Sequence, residues 1–372
     1  MKKKIKVVHY LPNLINGGIE RMLLNYYKKL KDSFEFVIII HETPADSCVR
    51  KFKEMNIRIY QIEHWIRNPM RNFVELRTIL KKERPDIFHT HHNLNNFIPC
   101  FVALTAGVRV RISHCHAYFP QKTIKQKFYS NLTCFFATHL AACGEKAAEF
   151  MAGSKRVKQN KVQIIYNAIE LEKFKYDEVN RKQIRKKYDW RSNEKVYGNI
   201  GRFSHQKNQF FLIEIFEQIL QMDSHSKFVI IGGDGPLYSQ ILDCIRTSPI
   251  KEKTIVLRDV SEVNEYYSAI DCFLLPSFFE GFALSLIEAQ ASNLPCVVSD
   301  QVSQELKTNS MVFLPISNSA KWASACVNQK VIDRRKPISK ELLKQFDISY
   351  SYRVLKKYYL KIVDKEDRIC KN

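Results

Sequence analysis

"CFLLPSFFEGFALSLIEAQASNLPCVVSD", residues 272–300, reads as strand, loop, helix, strand. Cys272–Leu275 and Cys296–Val298 are short, unbroken apolar runs, the pattern of strands covered on both faces. Between them a helix is expected from near Ala283, and two strands joined through a helix lie parallel. The stretch also places two carboxylates in apolar company, Glu280 in the loop and Glu288 one to two turns into the helix. A carboxylate there must meet partners or cost several kcal/mol.

The same alternation runs outward in both directions. In the first half the expected strands are "IKVVHY", "FEFVIII", "IRIYQI", "DIFHTH", "VRVRISH" and "THLAAC". In the second half they are "KVYGNIG", "KFVIIG", "TIVLRD", "CFLLPS" and "PCVVSD". Helical stretches such as "IERMLLNYYKKL", "FVELRTILKKE" and "NQFFLIEIFEQILQ" separate them. Such a series predicts an α/β protein of βαβ units. The series restarts after "VQIIYNAIELEKF", Val162–Phe174, which reads as a linker. Two Rossmann-like, doubly wound domains facing across a cleft are expected, 1–170 and 171–350. The helix in 351–372 is expected to cross back to the first. Ligands in such folds bind beyond the carboxyl ends of the strands.

With 372 residues the chain is long enough for two cores. Its ten cysteines are scattered with no C-x-x-C pair, which argues against a disulfide scaffold and a zinc site. No metal-ligand constellation stands out. No apolar run approaches a membrane span, and the basic start "MKKKIKVVHYLPN" is too soon broken by Pro12 for a signal peptide. The net charge is +21, with 59 Lys and Arg against 38 Asp and Glu. Residues 1–170 hold 28 basic and 13 acidic side chains, so +15 of the excess lies there. A basic surface attracts nucleic acid, anionic lipid or phosphorylated substrates.

Three glycine-rich or basic turns follow strands. Gly17-Gly18 opens the first long helix, where bare backbone and a helix amino end suit an anion or a tight turn. "NIGRFSHQKNQFF" puts Arg202 and Lys207 around a short loop before a helix; a guanidinium fork and an ammonium there form a diphosphate clamp, or two solvated charges. "GGDGP", with Gly233 as its second residue, turns out of the next strand, and Pro236 is placed to start a helix. The amides of Gly281, Phe282, Ala283 and Leu284 are expected at the start of the helix carrying Glu288. The six-position dinucleotide fingerprint is absent, which removes a nicotinamide cofactor.

"NGGIE", "GRFSHQKN", "GGDGP" and "EGFALSLIEAQASNLP" together resemble glycosyltransferase family 4, retaining enzymes of the GT-B fold, over nearly the whole chain. "HYLPNLINGGIERMLLNYY" and "VRVRISHCHAY" are similar to bacterial transferases that build capsular and extracellular polysaccharides. The resemblance implies that Arg202 and Lys207 bind the donor diphosphate, with Glu288 on the nucleotide ribose and Glu280 on the sugar. It implies backbone contacts from Gly18 and from Gly281–Ala283, and His116 lining the sugar site, with His114 as a rival. Asn208 stands where many members have Gly, and Arg258-Asp259 replace a glycine-containing turn near the base. A UDP-sugar donor, a polyprenyl-diphosphate-linked glycan acceptor, no metal and no cofactor are implied, at the cytoplasmic face of the cell membrane. The segment Phe119–His139, with Lys122, Lys125 and Lys127 among aromatics, is a candidate for an anionic membrane surface or an ordinary packed helix. The alternatives are a sugar-nucleotide epimerase of the same architecture and a basic nucleic-acid-binding protein, the latter lacking any recognition motif.

Overall fold

The computed structural model describes residues 4–15, 17–119, 121–233, 235–329, 332–336 and 340–369. Asn16 and Asp234, in two of the glycine turns, lie outside them, as does the end of the chain from residue 370. The chain divides into two compact units, 1–168 with 345–372, and 169–344.

The first unit holds one parallel sheet of seven strands: β1 Ile5–Leu11, β2 Phe34–Ile40, β3 Arg58–Gln61, β4 Ile87–Thr90, β5 Val110–Cys115, β6 His139–Ala142 and β7 Val162–Ile164. Their spatial order is β3-β2-β1-β4-β5-β6-β7. Successive side chains of a strand serve opposite faces. Val7 and Leu11 of β1 therefore join one core with Tyr26, Phe36, Leu355 and Tyr359, while Val8 and Tyr10 join another with Leu76 and Val102. The terminal helix Ile348–Ile369 belongs to this unit because Ile348, Leu355, Tyr359 and Ile362 form one apolar stripe buried in the first of those cores. The linker expected from Val162 starts later, since Val162–Ile164 pairs with β6 as the edge strand β7.

The second unit holds six parallel strands: β8 Val196–Ile200, β9 Lys227–Gly232, β10 Thr254–Arg258, β11 Cys272–Leu275, β12 Cys296–Ser299 and β13 Met311–Leu314, in the order β10-β9-β8-β11-β12-β13. One core cluster, centred on Tyr197, Phe216, Phe228 and Trp322, fills it. In each unit the strand order reverses once, between β1 and β4 and between β8 and β11. That switch point is where doubly wound sheets leave a crevice at the carboxyl ends of the strands. The helix after "GGDGP" begins at Tyr238, not at Pro236, which sits in the turn closed by the Tyr238 amide on the Gly235 carbonyl at 3.1 Å.

Candidate functional site

In the second unit the loops that follow β8 and β11 flank the switch point, and they carry the basic and acidic residues singled out above. The β8 loop folds into a turn of 3-10 helix, His205–Lys207, that ends at Asn208 with φ of 55°. This left-handed backbone favours glycine, and asparagine tolerates it best among the others. Asn208 also donates to the Pro276 carbonyl at 3.2 Å, tying the β8 loop to the start of the β11 loop. The interchange of Gly and Asn at this position thus has a backbone cause. A second tie joins the Phe278 amide to the Gln206 carbonyl at 2.9 Å, and the His205 ring stacks on Phe278.

These ties bring Lys207 onto Glu280. The ammonium donates to Oε1 at 2.7 Å, and Gln206 Nε2 donates to Oε2 at 3.1 Å. The side chains of Lys207 and Glu280 are 14% and 7% exposed, so the pair lies mostly out of water. Arg202 is different: its backbone is held by Gln209 on its carbonyl, while the residue is exposed. Burial in the pair with Glu280 removes Lys207 from the class of solvated surface charges.

The helix of the opening stretch is Leu284–Ala291, with Ala283 as its N-cap and no side-chain cap bond. Its first amides have no partner within the helix. Phe282, Ala283 and Leu284 are buried with their amides at the end of the β11 loop, directly after the Glu280–Lys207 pair. Glu288 lies one turn in, 2% exposed, and accepts from the Tyr267 hydroxyl at 2.7 Å. Both carboxylates therefore have protein partners, Lys207 and Gln206 for one and Tyr267 for the other. The glycine turn after β9 comes to the same loop. A Cβ on Gly232 would stand 2.4 Å from the Gly201 carbonyl oxygen, and one on Gly235 would stand 2.0 Å from that of Phe203. Gly233 lies between them with its nearest outside atom, Asp259 Oδ1, 3.5 Å from a Cβ position. Backbone packing against the β8 loop requires those outer glycines.

In the first unit Gly17 is the N-cap and Gly18 the first residue of the helix Gly18–Leu30, at the carboxyl end of β1. His116 follows β5, half-buried, its amide held by Asn93 Oδ1 at 2.8 Å. His114 is fully buried inside the strand, so of the two histidines only His116 reaches the surface. Burial pushes the His116 imidazole down to about 3 and His114 well below the ordinary range.

Sequence reading by motif passed over the neighbours of these rings. His9 of β1, His89 of β4 and His91 just beyond it pack beside them on one face of the sheet. The available signal was period-two spacing, His89/His91 and His114/His116, at the carboxyl ends of adjacent strands. The expectation that no ligand constellation exists needs correcting in space. His9, His89 and His91 gather their ring nitrogens within 4.8 Å, as do His91, His114 and His116, and His41, Glu42 and His64. Parallel pairing of distant strands builds these groups, so they leave no short motif.

Lys122 also departs from its expected place. It precedes the helix Ile124–Phe136, donates to Ser130 Oγ at 3.0 Å and lies over the Phe150 ring. Its ammonium is half-buried and pushed down by that burial, whereas Lys125 and Lys127 are exposed.

Comparison with known proteins agrees with this arrangement. The family model for Glycosyltransferase Family 4 matches residues 16–173, and that for Glycosyl transferases group 1 matches 180–311. The capsular polysaccharide biosynthesis glycosyltransferase CapH of Staphylococcus aureus is 25% identical, over 96% of this chain and 99% of its own. The Escherichia coli UDP-Gal:alpha-D-GlcNAc-diphosphoundecaprenol alpha-1,3-galactosyltransferase is 27% identical over 80% of both chains. Among solved structures, Anabaena HepE in complex with UDP-glucose superposes with a TM-score of 0.81 at 16% identity, covering 96% of this chain and 100% of that one. Two parallel sheets of this topology, matched half by half to these models, make the chain a glycosyltransferase of family 4 with the GT-B fold.

Proposed function

We propose that this transferase moves a hexose or N-acetylhexosamine, with retention, from a UDP-sugar to a polyprenyl-diphosphate-linked glycan during capsular or extracellular polysaccharide assembly. The observation that carries the reading is the Lys207–Glu280 pair set directly before the open amino end of the helix Leu284–Ala291, at a switch point. An ammonium and free amides are what a diphosphate needs, and a carboxylate beside them accepts from sugar hydroxyls. The names of the relatives support the substrate classes: one is a UDP-galactose transferase acting on a diphosphoundecaprenol, another a capsule enzyme.

In the proposed reaction the bond from the anomeric carbon to the UDP β-phosphate oxygen breaks, and a bond to the acceptor oxygen forms on the same face. The acceptor's proton passes to the departing phosphate. Charge grows on that phosphate as the sugar becomes oxocarbenium-like. One positive charge about 4 Å away is worth about 4 kcal/mol at an effective dielectric near 20, and each ~1.4 kcal/mol is tenfold in rate. Lys207 and Arg202 supply that charge. Glu288 accepts from the ribose hydroxyls, with Tyr267 holding its carboxylate in place. His116 lines the sugar site. No metal is assigned to this chemistry.

The enzyme works at the cytoplasmic membrane surface as a peripheral protein. What supports this is the helix Ile124–Phe136, which turns Ser130 and Thr133 inward and leaves Ile124, Phe128 and Phe135 exposed. No helix among the described residues is long and apolar enough to cross a membrane.

The test is incubation with a panel of UDP-sugars and undecaprenyl-diphosphate glycans, read by mass spectrometry and by the configuration of the new linkage. An α-linked product from an α-donor supports the reading. Interconversion of free UDP-sugars without acceptor would replace it with an epimerase.

A further inference from the structure

The buried histidines of the first unit form two chains of ring-to-ring hydrogen bonds. In one, His9 Nδ1 meets His91 Nε2 at 2.9 Å, and His91 Nδ1 meets His116 Nε2 at 2.8 Å. In the other, the Tyr359 hydroxyl meets His89 Nδ1 at 2.7 Å, and His89 Nε2 meets His114 Nδ1 at 3.2 Å. The first chain runs from the switch point at β1 to the half-buried ring after β5. Its two end nitrogens, His9 Nε2 and His116 Nδ1, are enclosed and have no partner.

A metal is the first explanation to weigh for such a cluster. The rings argue against it: His9 and His91 lie 20° from parallel, His89 and His91 21°, and His91 and His116 29°. Imidazoles that bind one ion converge their nitrogens from different directions. Here His91, which belongs to both histidine groups, already spends both of its nitrogens on neighbouring rings.

Neutral imidazole carries one N–H and one bare nitrogen. His91 uses both of its nitrogens inside the chain, so the direction of one bond dictates the other. If His91 donates from Nδ1, His116 Nε2 is an acceptor and its proton sits on Nδ1; His9 must then donate from Nδ1 and keep Nε2 bare. If the bonds reverse, His116 Nδ1 is bare and His9 Nε2 carries a proton. Burial holds His9 and His116 at about 3 and His91 well below the ordinary range, so the rings stay neutral near pH 7.

The two directions differ in what they leave at the inner end. The rings of Tyr27 and Phe36 lie 5.2 and 5.9 Å from that of His9. Each direction leaves one enclosed N–H, and an N–H without an acceptor is rare in native cores. At His9 it would stay among core rings, whereas on the half-buried His116 a ligand oxygen can supply the acceptor. We propose that His9 and His91 are positioning residues that hold the proton of His116 on Nδ1, making that nitrogen a hydrogen-bond donor toward a ligand oxygen. The chain thus turns a ring that could present either face into a fixed donor. Its consequence for turnover rests on the proposed placing of His116 at the sugar.

Histidine labelled with nitrogen-15 in the full chain tests it, because the two ring nitrogens report which one is protonated. His9, His91 and His116 are all expected to carry the proton on Nδ1 near pH 7.5. His9→Phe removes the donor to His91 and should let His116 shift toward Nε2–H, although the two rings share no hydrogen bond. His9→Asn retains a donor and should restore the parent signal. A proton on His116 Nε2 in the parent, or an unmoved His116 signal in a folded His9→Phe variant, overturns the proposal. So does stoichiometric uptake of Zn²⁺ that abolishes these signals. Turnover should fall about tenfold in His9→Phe with KM for the donor little changed, the loss of one neutral hydrogen bond in the transition state. A shifted His116 signal with unchanged turnover would leave the chain standing and remove His116 from the sugar site.

Discussion

Lys207 and Glu280 neutralise each other in a place where water hardly reaches. Removing one partner of a buried pair leaves the other charge uncompensated, at about 3–5 kcal/mol, whereas removing both is often nearly neutral. This separates structure from catalysis. Lys207→Met and Glu280→Gln are each expected to lower stability by a few kcal/mol, and the double variant to regain most of it. Turnover should not return with stability: loss of one charge-stabilising group costs about 10²–10³. Chemical denaturation and donor-saturated rates on the three variants check this. A double variant with near-parent turnover would make the pair a strut. The residue types here were legible in the sequence, because a charged run at a strand end has few explanations. Their pairing was not, since it depends on Asn208 and Phe278 tying two loops that are about seventy positions apart.

At the scale of elements, strands and helices with long apolar runs announce themselves, and the short edge strands β7 and β13 do not. An edge strand pairs on one side only and needs few residues: β7 has three and β13 has four. The glycine turn after β9 shows the other limit. "GGDGP" signals a turn, but which carbonyls press on it is a tertiary fact. Gly235→Ala sets a Cβ against the Phe203 carbonyl oxygen, and overpacking of this kind costs about 1–3 kcal/mol. A thermal shift to lower temperature is expected, with the β8 loop losing protection from hydrogen exchange; an unchanged melting temperature would mean the turn moves freely.

The strands β1, β4 and β5 carry a larger liability. His9, His92 and His116 are pushed down to about 3 by burial, and His89, His91 and His114 lie well below the ordinary 6.5. Once unfolded they protonate near 6.5, so below that pH the unfolded chain binds more protons and stability falls as pH falls. The loss is absent above 6.5 and continues down to about 3. Each group contributes roughly 1.4 kcal/mol per pH unit, so six together approach ~8 kcal/mol one unit below 6.5. That is comparable to the whole stability of a domain. The first unit should therefore lose exchange protection between about pH 6 and 5, while residues 169–344 keep theirs. Simultaneous loss in both units, only well below pH 4, would contradict the burial of these rings as neutral groups.

For the molecule as a whole, charge and exposed apolar surface meet on one helix. Ile124 is 86% exposed, Phe128 59% and Phe135 78%, while its small polar residues Ser130 and Thr133 donate inward to the Met151 and Leu94 carbonyls. With Ser130 and Thr133 turned inward, the exposed stripe of Ile124, Phe128 and Phe135 is left for something else. Phe136 continues the stripe to Phe101, which is partly exposed on the neighbouring helix Phe97–Thr105. Beside it stand Lys125 and Lys127, within the half of the chain that carries +15. Each cation near an anionic surface adds about 1 kcal/mol, so these two give about 2 kcal/mol, roughly thirtyfold in partitioning. Lys122, turned toward Ser130 and Phe150, should add nothing. Flotation with anionic liposomes separates the contributions. Lys125→Gln with Lys127→Gln should release the protein as 0.1 M salt would, since charges are screened within about 10 Å there. Phe128→Ser with Phe135→Ser should weaken binding that salt does not affect, and Lys122→Gln should leave binding at the parent level. A parent chain that stays with the soluble fraction at low salt would reassign the stripe to a protein partner, and the basic excess to the phosphates of the acceptor.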